Sequence, residues 1–502
     1  MNLATNLEQS AFFFPERPAV REAEGESTYS QLNDRANRIA TGLIAMGVKP
    51  GDLIALCSLN STEWIAFYFG VLKAGAVAVT LSGVLTGDEL TNLVGHAKPR
   101  FIYTAESKLQ DLQGLRGSGH LEKVICPGGD IDLPRLMAMG SGSFKAVDRH
   151  RMDTAAILYT GGTTGIPKGV MLTHEHVGFS SYSIAYYERS VETDIGLCFL
   201  PFNHVFGQLH IMNSTILTAG CLELLPALDM DRVLELMEAG RVTKFFSVPT
   251  VYMRLLGVGD LEKRLGKVRY CFSAGAAMAM EIVRQWKERT GITIAESYGM
   301  TESMPITFNH YYPERHVVGS VGQPVLGVEV QIRDIVSGNR LDEGQEGEIC
   351  VRGRNVMKGY LNNPQGTADV FWDAEWLRTG DIGVSDNHGY ITIVDRLKDL
   401  IITGGENVFP REVEEAIYTW PDVEQCAVIG LPDKEWGERV AAFLVPREGS
   451  AVATDELKAF LKGRLSPFKV PKEFTLMADL PKSPTGKILK RELRKQILEG
   501  IK

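Results

Sequence analysis

Apolar positions in roughly the first 150 residues alternate between two spacings. Residues 29–46 repeat them every three or four positions and stop at Gly47, which predicts a helix. Residues 53–58 form a short apolar run that predicts a buried strand, residues 64–73 an amphipathic helix, and residues 76–80 a second strand. Strands alternating with helices predict a parallel sheet with helices on its faces. The alternation continues through strands at 196–200, 221–224, 245–247 and 270–273, with helices at 230–240 and 280–290 between them.

From Val317 the texture changes to short β-rich pieces and turns, at 328–333, 347–352 and 390–394. That pattern predicts a small antiparallel barrel or sheet. The charged run 395–398 follows a strand and marks a boundary. Beyond it, strands at 400–402, 425–430 and 440–445 alternate with helices at 411–418 and 455–465. The predicted organisation is a large α/β domain over 1–394 with its barrel part at about 317–394, a hinge at 395–398, and an α+β domain at 399–502.

Composition narrows the function classes. The chain has 502 residues, 44% hydrophobic and 23% charged, with a net charge of −9. A mildly acidic chain has no global attraction for nucleic acid or an anionic membrane, so a polyanionic ligand needs a local site. The seven cysteines form no C-x-x-C pair, which argues against a zinc site or a disulfide framework. The most apolar stretch, 64–81, contains Lys73, Gly70 and Gly75 and predicts no membrane span. The first residues lack the basic and apolar regions of a signal peptide, so a cytoplasmic location is expected.

The most informative stretch is Ile157-Leu-Tyr-Thr-Gly-Gly-Thr-Thr-Gly-Ile-Pro-Lys-Gly-Val-Met-Leu-Thr173. A loop of Gly and Thr lets backbone N–H groups approach an anion, while Thr160, Thr163 and Thr164 add hydroxyls and Lys168 a charge. This is the composition of a phosphate cradle, though it lacks the G-x-x-x-x-G-K-[ST] pattern of a Walker A loop. A Gly-rich turn between two strands is the plainer reading.

The stretch resembles the signature loop of the adenylate-forming superfamily of acyl-CoA synthetases, aryl-CoA ligases, luciferases and peptide-synthetase adenylation domains. Gly161 stands where serine is usual. Further motifs follow in the superfamily's order. Ala295-Glu-Ser-Tyr-Gly-Met-Thr-Glu302 resembles its second nucleotide motif, read as a strand at 292–295 with Tyr298–Glu302 as the loop at its end. Ser273-Ala-Gly-Ala-Ala277 is a run of small residues, Pro201-Phe-Asn-His-Val-Phe-Gly207 an aromatic–histidine motif, and Trp376-Leu-Arg-Thr-Gly-Asp381 a turn holding one carboxylate. Asp395-Arg-Leu-Lys398, Gly404-Gly-Glu-Asn-Val-Phe-Pro410 and Pro481-Lys-Ser-Pro-Thr-Gly-Lys487 complete the set.

The resemblance implies a large N-terminal domain of α/β subdomains plus a small β-barrel, and a mobile α+β C-terminal domain. It implies an acid–CoA ligase using ATP, Mg²⁺ and coenzyme A. Catalytic roles fall on Lys487, Thr301 and Glu302, and the metal falls to Glu302 and Thr163. ATP and AMP fall to Thr160, Gly161, Gly162, Thr163, Thr164, Gly165 and Lys168, to Ala274, Gly275 and Ala276, to Ser297, Tyr298, Gly299 and Met300, and to Asp381 and Arg396. Tyr298 is expected to stack on adenine and Asp381 to hold the ribose hydroxyls. The acyl pocket is expected from His204, Phe206, Gly207, Ala274, Gly299 and Met304, and the CoA tunnel from Gly404, Gly405, Glu406 and Asn407. Asp395 and Lys398 are the expected pivot.

For the acid, two observations compete. Gly347-Glu-Ile-Cys-Val-Arg-Gly353 with Met357-Lys-Gly-Tyr-Leu361 resembles hydroxycinnamate ligases and luciferases, and speaks to ancestry. Val248-Pro-Thr-Val-Tyr-Met-Arg-Leu-Leu256 resembles fatty-acyl and malonyl synthetases. Malonyl-CoA synthetases usually carry arginine just before the Tyr-Gly-Met-Thr-Glu part of the second nucleotide motif, whereas this chain has Ser297, so an apolar monocarboxylic acid is expected. Other expected partners are ATP and CoA, with a homodimer open. An enzyme that loads a carrier-protein thiol, and a non-catalytic nucleotide- or acyl-binding relative, are the alternatives.

Overall fold

The structure is a computed structural model that describes residues 1–116, 120–160, 168–309, 312–483 and 486–500. Two large sheets organise the chain up to residue 324. Among the described residues, the seven-stranded sheet has Thr154–Thr160, Val77–Ser82, Leu53–Ser58 and Phe101–Thr104 side by side and parallel. The nine-stranded sheet has Cys221–Leu224, Ile195–Cys198, Lys244–Ser247, Tyr270–Ser273 and Ile294–Met300, also parallel. Parallel strands buried on both faces need continuous apolar runs, and these short segments supply them.

The helix Thr62–Lys73 departs from the expected amphipathic form. Every residue in it except Glu63 is buried, and it shares one core with side chains of both large sheets, such as Leu56 and Leu197. A helix covered on both sides has no polar face to keep. Its only lysine, Lys73, is neutralised by Glu8 at 2.6 Å.

The parallel order in both sheets is broken by hairpins. Thr154–Thr160 pairs antiparallel with Lys168–Thr173, so the two ends of the signature stretch lie side by side. Ile294–Met300 pairs antiparallel with Ser303–Phe308. The strand therefore runs through Tyr298 to Met300, where a loop was expected, because Tyr298 gains a cross-strand partner in Thr307.

Beyond residue 324, Val328–Arg333, Gly347–Gly353, Trp376–Ser385 and Ile391–Arg396 form an antiparallel sheet, as the β-rich texture predicts. The pair Gly359–Tyr360 leaves that sheet and joins the edge of the seven-stranded one, against Lys168–Thr173. A further sheet is built from Ile401–Thr403, Val423–Asp433, Gly437–Pro446 and Glu473–Leu476, with its own apolar cores around Val428 and Phe443. Helices Pro410–Tyr418, Thr454–Lys462 and Lys490–Leu498 accompany it.

Candidate active site

Several of the candidate side chains gather at the carboxyl ends of the parallel strands of the nine-stranded sheet. Ile195–Cys198 leads into His204, Lys244–Ser247 into Thr250, and Tyr270–Ser273 into Ala274–Ala276. Every strand of a parallel set exposes its carboxyl end on the same edge, so loops distant in sequence meet there. A cavity of about 570 Å³ at this edge is lined by Gly275, Tyr298, Asp381, Arg396, Lys398 and Lys487, among others.

Asp381 is the buried anchor of the cavity. Strand pairing sets Asp381 opposite Arg396, and Arg396 Nε lies 3.3 Å from Asp381 Oδ1. The Tyr298 hydroxyl donates to Asp381 Oδ2 at 2.5 Å. Burial, reinforced by Asp381, pushes the Tyr298 hydroxyl well above its ordinary range, so it remains a donor.

Lys487 enters from the C-terminal segment. The Ser483 N–H donates to the Lys487 carbonyl at 2.8 Å, and Lys482 bridges to Ile488, which folds the segment into a tight hairpin. Thr250 Oγ1 donates to the Gly486 carbonyl at 3.3 Å. A Cβ on Gly486 would meet Thr250 Oγ1 and Val248 Cγ2 at 3.2 Å, and its φ is +82°. Only glycine accepts both that conformation and that approach. Burial lowers the Lys487 ammonium to about 8, with Arg396 adding to the effect and Asp381 opposing it. His204 is pushed down to about 4 by burial and then by Lys487, so it is neutral at physiological pH. Its Nδ1 accepts from the Phe206 N–H at 3.2 Å.

The acyl-pocket residues are only partly gathered. Phe206 is buried and sets its edge on Phe272 and His210, with ring centroids 5.6 and 5.2 Å away. Phe272 in turn lies 5.5 Å from Phe308. Gly207 serves close packing: a Cβ there would stand 2.5 Å from the Pro201 carbonyl oxygen. Gly299 is exposed, with Met304 Cγ 3.2 Å from its Cβ position, and Met304 is buried. Ala274 is half-buried, Gly275 and Ala276 are exposed, and Ser297 Oγ donates to the Thr307 carbonyl at 2.6 Å.

Glu302 sits in the turn of the 294–308 hairpin and is buried. Burial raises its carboxyl pKa, opposed by the Tyr360 hydroxyl, which donates to Oε1 at 2.8 Å, and by Lys168. Thr301 is half-buried beside it and Thr160 half-buried at the end of its strand. Gly161, Gly162, Thr163, Thr164 and Gly165 lie outside the described residues.

The expected pivot residues differ from each other. Asp395 is buried at the end of its strand, where Oδ1 accepts from the Arg396 N–H at 2.7 Å and Oδ2 from the Arg411 N–H at 2.8 Å. Lys398 is exposed on the following turn. Gly404, Gly405, Glu406 and Asn407 form an exposed hairpin turn and are not brought to the cavity that holds Lys487. A second cavity, of about 290 Å³, lies across the Lys487 hairpin, lined by Asn203, Arg254, Lys482 and Gly486.

Two contributors escaped sequence reasoning. Thr250 stands in the stretch that resembles fatty-acyl and malonyl synthetases, and its signal is a hydroxyl right after Pro249, at the first turn of a helix. Tyr360 was quoted as a mark of ancestry, and the structure sets it against Glu302.

Residues 7–361 match the AMP-binding enzyme family, and residues 412–487 match the AMP-binding enzyme C-terminal domain. The chain belongs to the AMP-binding enzyme family. Among similar AMP-binding enzymes, feruloyl-CoA synthase of Amycolatopsis sp is 35% identical, with 96% of each chain covered. The long-chain-fatty-acid–CoA ligase of Bacillus subtilis (strain 168) is 32% identical, covering 99% of this chain and 95% of that one. The crystal structure of ATP-bound MatB from Rhodopseudomonas palustris superposes with a TM-score of 0.93 at 34% identity, with both chains fully covered. No helix among the described residues of this AMP-binding enzyme is long and apolar enough to cross a membrane.

Proposed function

We infer that this AMP-binding enzyme is an AMP-forming acid–CoA ligase. A carboxylate oxygen attacks the α-phosphorus of ATP, pyrophosphate leaves, and an acyl-adenylate forms. The thiol of coenzyme A then attacks the acyl carbonyl, and AMP leaves with the electron pair of the broken C–O bond. The observation that carries this reading is the convergence of Lys487, Asp381, Arg396 and Tyr298 on one cavity at the edge of the parallel strands.

The first step joins two anions, so its barrier is largely electrostatic. Lys487 is the group that would neutralise charge between the carboxylate and the α-phosphate. Burial and then Arg396 depress its pKa, and the negative charge of the two substrates would offset both. Asp381 accepts O–H donors and suits the ribose diol. Thr301 adds a hydroxyl beside the phosphates, and Lys168 a charge.

Magnesium fits this site through Glu302. No cluster of three His, Cys, Asp or Glu side chains offers a cation cage among the described residues. A buried carboxylate that accepts from the Tyr360 hydroxyl, with no carboxylate cluster around it among the described residues, suits an ion shared with substrate phosphates. When bound, the ion would neutralise phosphate charge. Thr163 is the second expected ligand.

The second step needs room for a thiol. Gly486 lines both cavities, so the Lys487 hairpin forms the wall between them. Withdrawal of that hairpin by rotation about Asp395–Lys398 would open the wall and bring the Gly404–Asn407 turn in its place. The division of the chain at 395–398 rests on this reading.

The acid is an apolar monocarboxylic acid, aromatic or fatty. Ser297 carries no charge, and its hydroxyl is already spent on Thr307, so it offers no partner for a second carboxylate. Phe206, Phe272 and Phe308 form a buried aromatic cluster behind this strand edge, with no charged side chain among them. A panel of fatty, aromatic and dicarboxylic acids tests this, reading pyrophosphate release and then CoA-dependent AMP release. Turnover confined to dicarboxylic acids would overturn the acid. AMP release that needs a carrier protein, with none from free CoA, would overturn the thiol.

A further inference from the structure

The segment Met357–Leu361 is absorbed by none of the roles above, yet it lies against two of the residues that carry them. Gly359–Tyr360 adds a short antiparallel strand beside Lys168–Thr173, with Tyr360 opposite Val170. The backbone clamps it on both sides: Lys358 N–H donates to the Met171 carbonyl at 2.9 Å, and Leu361 N–H to the Gly169 carbonyl at 2.7 Å. The Met357 N–H donates to the Glu302 carbonyl at 2.7 Å, and the Tyr360 N–H to Thr367 Oγ1 at 2.9 Å. Tyr360 is thus fixed by both chain neighbours and is 5% exposed.

Its side chain touches two charges of opposite sign. The hydroxyl donates to Glu302 Oε1 at 2.8 Å. The Lys168 ammonium lies over the ring, 4.8 Å from its centroid. A ring face attracts a cation, and a phenol edge donates to an anion, so one tyrosine satisfies both at once. Burial and the Glu302 charge push the Tyr360 hydroxyl far above its ordinary range, which keeps it a donor.

We propose that Tyr360 is a positioning residue that holds Glu302 and Lys168 apart and aligned. Lys168 already acts on the Glu302 carboxyl, and without Tyr360 the two opposite charges would be free to close into a direct ion pair. Each would then be spent on the other, Glu302 lost to the cation and Lys168 lost to the triphosphate. The Tyr360 hydroxyl fixes the carboxylate, and its ring face holds the ammonium. This rests on the reading of Glu302 as the metal carboxylate and of Lys168 as a phosphate contact.

The test uses the full-length chain and four variants: Tyr360→Phe, Tyr360→Met, Tyr360→Leu and Glu302→Gln. Two affinities are measured without any acid present. Mn²⁺ binding to the ATP complex is read by electron paramagnetic resonance, and ATP binding in EDTA by calorimetry. Tyr360→Phe loses only the hydroxyl, so Mn²⁺ affinity falls about 10- to 100-fold, while metal-free ATP affinity stays within about two-fold of wild type. Tyr360→Met and Tyr360→Leu lose the ring as well, and both affinities fall. Two apolar replacements of different shape, one unbranched and one branched, separate loss of the ring from repacking, and melting temperatures check the fold of each.

Wild-type Mn²⁺ affinity in Tyr360→Phe, alongside lost affinity in Glu302→Gln, overturns the positioning role and leaves the metal reading standing. Wild-type Mn²⁺ affinity in Glu302→Gln overturns the metal reading and this proposal with it. Wild-type ATP affinity in EDTA for folded Tyr360→Met overturns the part assigned to the ring.

Discussion

The Tyr298 hydroxyl donates a 2.5 Å hydrogen bond to Asp381 Oδ2, while Arg396 reaches the other carboxylate oxygen at 3.3 Å. The strand Ile294–Met300 is thereby joined to the paired strands Trp376–Ser385 and Ile391–Arg396 at one buried carboxylate. Asp381→Asn keeps the shape and removes the charge, so the KM for ATP rises roughly ten- to hundred-fold, as expected for hydrogen bonds to a charged group. Tyr298→Phe removes one donor and frees the oxygen it covered, so its KM effect is smaller. Steady-state kinetics on both variants and the double variant checks this, and a coupling of zero would break the link between the two residues.

Lys487 is expected to serve the first half-reaction alone. Lys487→Ala should slow pyrophosphate exchange by about 100-fold or more, in line with loss of one transition-state electrostatic contact. Thioester formation from supplied acyl-adenylate should stay near wild type. Equal loss in both assays would show that the lysine does not leave between steps.

The pH dependence of that step follows from burial. Burial and then Arg396 bring the Lys487 ammonium down to about 8 in the free enzyme. The protonated, active form is present below that pH and is lost as pH rises through it. The kcat/KM for adenylation should therefore fall on a limb near pH 8, since kcat/KM reports the free enzyme. Lys487→Arg keeps its charge, so the surviving activity should lack this limb.

A buried charge network beneath the site sets a stability prediction. Glu188 bonds His210 at 2.6 Å and Lys244 at 3.0 Å, and Lys244 lies 3.4 Å from Asp194. Glu188→Ala leaves the buried Lys244 with Asp194 and Ser190 but without its nearer carboxylate, at a cost of about 3–5 kcal/mol in denaturant unfolding. Burial would raise the Glu188 carboxyl, but Lys244 and His210 outweigh it and the net shift is downward. Its contribution is therefore present above the ordinary carboxylate range and is lost as pH falls through the depressed value.

Local pattern carried much of the fold. Strands at Leu53–Ser58, Cys221–Leu224 and Tyr270–Ser273 and the helix Met280–Thr290 stand where apolar spacing predicts them, because burial on both faces or on one stripe is written into nearest-neighbour sequence. Motif order likewise pointed to the AMP-binding enzyme family, since each short motif lies on one turn of chain.

Contacts between distant segments were decided only in three dimensions. The helix Thr62–Lys73 is covered on two sides by two sheets, so its sequence periodicity misreads its surroundings. Strand Ile294–Met300 runs past its expected end because Ser303–Phe308 folds back and pairs with it. Tyr360 read as ancestry until its strand was seen beside Lys168–Thr173, with its hydroxyl on Glu302. By itself the sequence determined which elements form and which chemistry the chain carries, through spacing and residue type. The tertiary structure decided which side chains share a site, because that depends on strand order and on the docking of one segment against another, and neither leaves a periodic trace in the chain.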